Sequence, residues 1–145
     1  MGLLIYPNKI LETVCNEITI PSEDLKLGEE MLQIMLKYRG IGLAAPQVGL
    51  LKKIIVVSTK CNKDWATIMF NPEIVNTGKS KETEIERCLS FPGMERELER
   101  LVVIDVKYQD VNGKWQTETL KRLKARVFQH EIEHLQGILC MLKEK

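Results

Sequence analysis

The chain has 145 residues, the length of one ordinary domain, and this is enough to bury a hydrophobic core without disulfides. A composition that is 44% hydrophobic and 28% charged excludes a disordered, collagen-like or low-complexity chain. Because 21 Lys and Arg residues balance 20 Asp and Glu residues, the net charge of +1 argues against nucleic-acid specificity and against binding to anionic membranes. We therefore expect a single domain that spans residues 1–145.

The start of the chain and its cysteines predict an intracellular protein. No apolar run approaches the roughly 18 residues of a membrane span, and the first ten residues lack a basic region and are interrupted by Pro7. Cysteines without a secretion signal are typical of free thiols or metal ligands in a reducing compartment, and not of a disulfide framework. The four cysteines are Cys15, Cys61, Cys88 and Cys140.

The first forty residues predict an extended segment followed by one helix. Residues 1–22 are expected to be extended, with breaks at Pro7 and Pro21. Residues 23–39 are expected to form a helix, because acidic residues occupy the first turn and apolar residues recur at helical spacing. Gly40 follows at a position typical of a helix stop.

Short β-branched segments separated by turn residues predict strands in the middle of the chain. The expected strands are 53–58, 67–70, 74–77, 82–86, 101–108 and 114–120. We expect a turn at Asn71-Pro72, a pairing of the third strand with the fourth around Gly78, and a hairpin at Asn112-Gly113. A last helix is expected at 122–136, bounded by Gly137. The predicted fold class is α+β, with mostly antiparallel sheets packed around this C-terminal helix.

The only two histidines of the chain, His130 and His134, lie four residues apart inside that helix, in the pattern His-Glu-x-x-His. Residues at this spacing share one helix face, so both imidazoles can bind one metal ion. Glu131 flanks the ion and can take the proton of a metal-bound water. The alternative is a chance match on an exposed helix.

A catalytic metal site of this kind needs a third protein ligand. Only 11 residues follow His134, which argues against a glutamate from a further helix. Cys140 lies where some metalloproteases place a third histidine, and Cys88 lies upstream among turn residues that suit a thiolate ligand. Taken alone, Cys88 could instead be a small buried hydrophobic residue, which is the usual role of an intracellular cysteine.

Three segments of the sequence resemble the three motifs of the peptide deformylases, in the same order. They are GIGLAAPQVG at 40–49, CLSFP at 88–92 and QHEIEHLQG at 129–137. The resemblance implies an enzyme that removes the N-terminal formyl group from nascent polypeptides that begin with formylmethionine. It also implies one divalent metal ion held by Cys88, His130 and His134, with Fe²⁺ as the usual native ion and Zn²⁺, Ni²⁺ or Co²⁺ as alternatives.

The resemblance further implies roles for residues around the metal. Glu131 is the expected general base, and the Gln47 side chain and the Leu89 backbone N–H are the expected donors to the oxyanion. We expect the substrate methionine to lie against Ile41, Leu123 and Val127, although each of these is also a normal core residue. The backbone of Ile41 and Gly42 is expected to bind the peptide, since glycine permits a close approach.

The chain departs from the family pattern at three places. Arg87 occupies the position before the cysteine where the family usually has glycine, so we expect it to hinder or reshape substrate binding. Glu133 replaces the usual aspartate, and we expect it to lie off the metal and to pair with Arg100 or Arg126. The chain stops at Lys145, so we expect only a weakened, transient association with the ribosome.

The sequence leaves two other functions open. One is another small metallo-amidase or protease that uses the same His-Glu-x-x-His chemistry. The other is a deformylase-like binding protein with little turnover, for which Arg87 is the argument. The expected location is the cytoplasm for a bacterial protein, or an organelle matrix if a presequence has been removed.

Overall fold

The computed structural model describes residues 1–18 and 22–143, in which two helices and seven strands form an α+β fold. The helices are α1 (Ser22–Lys37) and α2 (Arg122–Leu135). The strands are β1 (Gly42–Ala44), β2 (Ile54–Val57), β3 (Thr67–Thr77), β4 (Lys81–Glu86), β5 (Arg96–Leu101), β6 (Val103–Gln109) and β7 (Trp115–Lys121). Short 3-10 turns lie at Lys9–Glu12, Ala45–Val48, Lys63–Trp65 and Cys140–Leu142. None of the helices in the described ranges has the length and apolar character to span a membrane.

Two antiparallel sheets carry the fold, as the sequence predicted. Five strands pair in the order β1-β2-β3-β6-β7, and β4 pairs with β5 in a separate hairpin. Helix α2 packs its apolar face on the larger sheet, where Ala125 and Phe128 are fully buried beside residues of β2, β3 and β6. Helix α1 covers another part of the same sheet through Met31 and Met35.

The N-terminal segment and the end of α1 differ from the prediction. Residues 9–12 form a 3-10 turn instead of extended chain, since the Asn8 side chain accepts a hydrogen bond from the Ile10 N–H and caps the turn. Helix α1 ends at Lys37, two residues early, and Arg39 rather than Gly40 adopts the left-handed conformation, with φ of 59°. The extended conformation predicted for 19–21 lies outside the described residues.

The turn predicted at Asn71-Pro72 is wrong, because β3 continues through it to Thr77. Asn71 adopts a φ of 50°, and the register of β3 against β6 shifts between Phe70 and Glu73. The Asn71 amide donates to the Ile18 carbonyl and to Gln109 Oε1, both at 2.7 Å. A bulge of this kind tolerates proline, because the ladder is interrupted where the N–H is missing.

The predicted pairing of 74–77 with 82–86 is also wrong. The end of β3 pairs with β6, whereas β4 pairs with β5 from Lys81↔Leu101 to Glu86↔Arg96. Strand β5 was not predicted, because its charged sequence lacks β-branched residues. The predicted strand 101–108 is divided at Val102, whose N–H bonds to the Ser80 carbonyl. Both ends of the β4–β5 hairpin lie beside α2.

Candidate metal centre

Helix α2 and the segment after β4 bring two histidines and a cysteine together. His130 and His134 are buried on one face of α2, with ring centroids 5.1 Å apart. The alternative of a chance His-Glu-x-x-His match on an exposed helix is therefore excluded. Cys88 is also buried, and its Sγ lies 3.3 Å from His134 Nε2. The ligand atoms of these three side chains lie within 4.8 Å of one another, and one thiolate with two imidazoles suits a first-row divalent metal.

Cys140 contacts one of the two histidines, His130. Its Sγ lies 3.4 Å from His130 Nδ1 and 3.9 Å from His130 Nε2. It forms a second compact group with His130 and Glu86. Two arginines, Arg100 and Arg126, already pair with Glu86, and their positive charge disfavours a cation in this second group.

Glu86 orients the ring of His130 through its Nδ1 edge. Its Oε1 lies 2.9 Å from His130 Nδ1, and it also receives hydrogen bonds from Arg100 at 2.8 and 3.0 Å and from Arg126 at 2.7 Å. Burial raises the pKa of Glu86, but the hydrogen bonds from His130 and Arg100 outweigh it and lower this pKa to about 2. The carboxylate therefore holds the Nδ1–H and leaves Nε2 of His130 available to a metal. This role of Glu86 was not predicted from the sequence, although Glu86 stands only two residues before Cys88.

Arg100 connects the Glu86 carboxylate to Glu133, which lies in the third of the three motifs. Its Nη1 donates to Glu133 Oε1 at 2.6 Å, and Lys143 also pairs with Glu133. Glu133 therefore pairs with Arg100, as predicted, and Arg126 pairs with Glu86 instead. Glu133 belongs to neither of the two compact ligand groups.

The burial of the site perturbs its titration in the metal-free state. Burial raises the pKa of Glu131 to about 7, although nearby His130 acts in the opposite direction. Burial, together with repulsion from His130 and Arg100, lowers the pKa of His134 to about 3, so this imidazole is neutral. Burial acts to lower the pKa of His130, but the charge of Glu131 and the hydrogen bonds with Cys140, Cys88 and Glu86 together outweigh it and raise this pKa. Metal binding would therefore displace a proton from His130.

Two buried polar atoms beside this cluster have no hydrogen-bond partner in the described part of the chain. They are Glu131 Oε1 and His134 Nδ1. Unpaired buried polar atoms are costly and commonly mark a functional position. Glu131 Oε1 is thus available to a substrate group or a water.

Gln47 approaches the cluster from the turn Ala45–Val48. Its Oε1 accepts a hydrogen bond from the Ala44 N–H at 3.0 Å, and its Nε2 lies 3.1 Å from Ser90 Oγ and 3.6 Å from Cys88 Sγ. Leu89 lies between the last two residues, and it lines the same cavity as Gln47. The structure thus places both predicted oxyanion donors beside Cys88.

One cavity of about 740 Å³ opens onto this cluster. It is lined by ten of the eleven predicted site residues: Ile41, Gly42, Gln47, Arg87, Cys88, Leu89, Leu123, Val127, His130 and Glu131. His134, the eleventh, does not line it.

The five predicted substrate residues occupy different depths of this cavity. Val127 is 6% exposed and forms a wall, whereas Leu123 is 45% exposed and lies at the rim. The Arg87 side chain is also exposed, and its Nη2 pairs with Glu95 Oε1 at 3.1 Å. A Cβ at Gly42 would lie 2.4 Å from Glu131 Oε2, so the chain has no space for a side chain there.

The chain is similar to known deformylases over nearly its whole length. The family model described as polypeptide deformylase matches residues 1–144. A peptide deformylase of Desulfotalea psychrophila is 44% identical over 145 residues, which cover 97% of this chain and 85% of the relative. One from Thermotoga maritima is 38% identical over 138 residues, which cover 94% of this chain and 82% of the relative.

Solved structures extend this similarity to the fold. The crystal structure of Thermotoga maritima peptide deformylase superposes with a TM-score of 0.92 and 36% identity, and the match covers 99% of this chain and 96% of that one. The Plasmodium falciparum peptide deformylase superposes with a TM-score of 0.90 and 39% identity, and the match covers 95% and 83% of the two chains. The chain therefore belongs to the polypeptide deformylase family, and its activity is that of a peptide deformylase, a hydrolase.

Proposed function

We propose that this chain hydrolyses the formyl group from the N-terminus of formylmethionyl polypeptides and releases formate, with one divalent metal ion bound by Cys88, His130 and His134. The observation that carries the proposal is that these three side chains form one compact group beside a cavity that Cys88, His130 and Glu131 line. Cys88 is preferred to Cys140, because Cys140 Sγ approaches the Nδ1 edge of His130, where Glu86 already lies.

Membership of the deformylase family supports Fe²⁺ as the native ion, with Zn²⁺, Ni²⁺ or Co²⁺ as functional replacements, and one thiolate with two imidazoles is compatible with each of these ions. When bound, such an ion polarises a carbonyl oxygen and lowers the pKa of water toward neutrality. The contribution of the protein is to hold the ligands in place. Glu86 fixes His130 through Nδ1, and Arg100 and Arg126 hold Glu86.

Glu131 is the proposed proton carrier. Its Oε1 has no hydrogen-bond partner in the described ranges, so this oxygen can take up and release a proton. It takes the proton of the attacking water at this oxygen and then delivers it to the nitrogen of the leaving amine. Gln47 Nε2 and the Leu89 N–H are the proposed donors to the oxygen of the formyl group as charge develops on it.

The cavity walls suit a methionine side chain followed by a peptide. We assign Val127, Ile41 and Leu123 to the contact with the methionine, in order of increasing exposure. The absence of a side chain at Gly42 allows the peptide backbone to approach Glu131. Arg87 lies at the mouth, where the residues after methionine leave the cavity.

The family acts on nascent formylated peptides. For a bacterial protein, this substrate implies action in the cytoplasm, where new chains emerge. Transient association with the ribosome belongs to the same proposal, and co-sedimentation with translating ribosomes tests it.

The deciding experiment compares formyl-Met-Ala-Ser with acetyl-Met-Ala-Ser as substrates. The protein is loaded anaerobically with Fe²⁺, Ni²⁺ or Co²⁺, the metal content is measured, and the release of formate or acetate is followed. We expect rapid release of formate and little release of acetate. Comparable rates on both peptides would indicate a general amidase, and fully loaded protein without turnover would indicate a binding protein.

A further inference from the structure

We infer that Ser90 is a positioning residue for Gln47, whose side-chain amide it holds so that one N–H is aimed into the cavity. The inference rests on the proposed function, because it concerns the donor that stabilises the oxyanion of that reaction. Ser90 is fully buried, and it does not line the cavity. Its effect on the reaction must therefore pass through another residue.

The orientation of the Gln47 amide is set first by its oxygen. Oε1 accepts the hydrogen bond from the Ala44 N–H at 3.0 Å, inside a site that is almost completely closed to solvent. A flipped amide would place two hydrogens against this N–H and leave it unpaired, which costs free energy in a buried site. Nε2 therefore points to the segment 88–90.

The two hydrogens of Nε2 then have different surroundings. One donates to Ser90 Oγ at 3.1 Å. The other donates to Cys88 Sγ, which lies 3.6 Å from Nε2 at the wall of the cavity and is a weaker acceptor than an oxygen atom. With the first hydrogen held by Ser90, rotation of the amide is restricted, and a substrate oxygen in the cavity can replace the weak sulfur acceptor of the second hydrogen.

The anchor itself is rigid, because the N-terminal segment holds both partners. The Ser90 carbonyl accepts a hydrogen bond from the Tyr6 N–H at 2.9 Å, and the Gln47 carbonyl accepts one from the Leu4 N–H at 2.7 Å. The Tyr6 ring also stacks on Phe91, with centroids 4.9 Å apart. One short segment therefore sets the distance between the turn of Gln47 and the segment of Ser90.

The test is a double-mutant cycle with Ser90→Ala and Gln47→Ala at equal metal content. Loss of one neutral hydrogen bond predicts a kcat for Ser90→Ala that is about three- to tenfold lower, with KM unchanged because the donor acts in the transition state. Loss of the oxyanion donor in Gln47→Ala predicts a decrease of about 100- to 1000-fold. In the double variant, we expect the rate of Gln47→Ala alone, because Ser90 has nothing left to position.

Ser58→Ala is the matched control. Ser58 is another fully buried serine, but its hydroxyl donates to the Lys60 carbonyl and it does not line the cavity. We expect this variant to retain wild-type kcat. Ser90→Cys, which keeps a weaker acceptor at nearly the same volume, should have an intermediate kcat and replaces Ser90→Ala in the cycle if the alanine variant does not fold.

A second readout does not depend on turnover. The side-chain amide protons of Gln47 are assigned in a ¹H–¹⁵N spectrum by their disappearance in Gln47→Ala. We expect slow solvent exchange in the wild type and in Ser58→Ala, and faster exchange with shifted resonances in Ser90→Ala. Unchanged Gln47 signals in Ser90→Ala, an equal loss of kcat in the Gln47→Ala background, or an effect on KM alone would each overturn the inference. A wild type that does not turn over formyl peptides would reject the proposed function, while these amide signals would still decide the role of Ser90.

Discussion

Replacing Gly42 with alanine would place a methyl group where the structure has no space for it. The new Cβ would lie 2.4 Å from Glu131 Oε2 and 2.7 Å from Val127 Cγ1, whereas ordinary contacts begin at 3.4 Å. Relief of the contact with Glu131 therefore requires a movement of about 1 Å. Both neighbours are buried on α2 and line the cavity, so a movement away from the methyl group changes the cavity wall.

The expected loss of activity follows from this displacement. A misplacement of about 1 Å in a catalytic group can cost about 100-fold in rate, so we expect kcat/KM on formyl-Met-Ala-Ser to fall by about that factor. Overpacking in a buried site also costs about 1–3 kcal/mol of stability. The metal content should be unchanged, because the three atoms nearest to the new methyl group belong to Glu131 and Val127 and not to the proposed ligands.

The Gly28→Ala variant distinguishes the displacement of a catalytic group from the general cost of overpacking. Its Cβ would meet Ile68 Cγ2 at 2.7 Å and Phe70 Cζ at 3.2 Å, between α1 and the sheet and outside the cavity. We expect a comparable packing cost, partly offset by the gain of about 1 kcal/mol for alanine over glycine in a helix, and an unchanged kcat/KM. The assay is kcat/KM and Tm for both variants at equal metal content. A Gly42→Ala variant within about threefold of the wild type, or an equal loss of activity in Gly28→Ala, would refute the reasoning.

Four further results are expected. Glu131→Gln should keep its metal and lose about 100-fold or more in kcat, because glutamine cannot accept a proton; a residual rate above about a tenth of the wild type would exclude Glu131 as the base. Cys88→Ser should lose metal or activity while Cys140→Ser keeps both, as metal analysis of the two purified variants would show, and the reverse pattern would reassign the third ligand. Arg87→Gly, which restores the usual family residue, should raise kcat/KM on formyl peptides by removing a side chain from the cavity mouth; an equal or lower value would show that Arg87 assists binding. The iron-loaded protein should lose activity in air faster than the nickel-loaded protein, because Fe²⁺ and its thiolate ligand are both oxidisable, and equal half-lives would contradict this.

The sequence was sufficient wherever the geometry is local. The spacing of His130 and His134 determines that both lie on one face of any helix that contains them, and the structure has that helix. The helix end at Gly137 was also readable, because its φ of 73° is a conformation that glycine adopts readily. The α+β class followed from the distribution of β-branched and helical segments along the chain.

The sequence failed where a residue's conformation depends on a distant partner. Asn71-Pro72 reads locally as a turn, yet β3 continues because the side chain of Asn71 bonds to Ile18 and Gln109. Strand β5 has the sequence RELERL, which no strand propensity favours. It is a strand because β4 pairs with it and because Arg100 reaches the buried Glu86.

The features of the site also fall into those that the sequence predicted and those that depend on the tertiary structure. The three motifs identified the family and indicated the residues that would surround a metal, because the residues within a short motif keep a fixed spacing along the chain. Only the tertiary structure decided that Cys88 Sγ lies beside Nε2 of His134, whereas Cys140 Sγ lies beside Nδ1 of His130. Only the tertiary structure placed Glu86 behind His130 and Ser90 beside Gln47. These contacts join residues that lie 10 to 46 positions apart. They are set by how the β4–β5 hairpin, the turn after β1 and α2 pack together, and no local pattern in the chain encodes that packing.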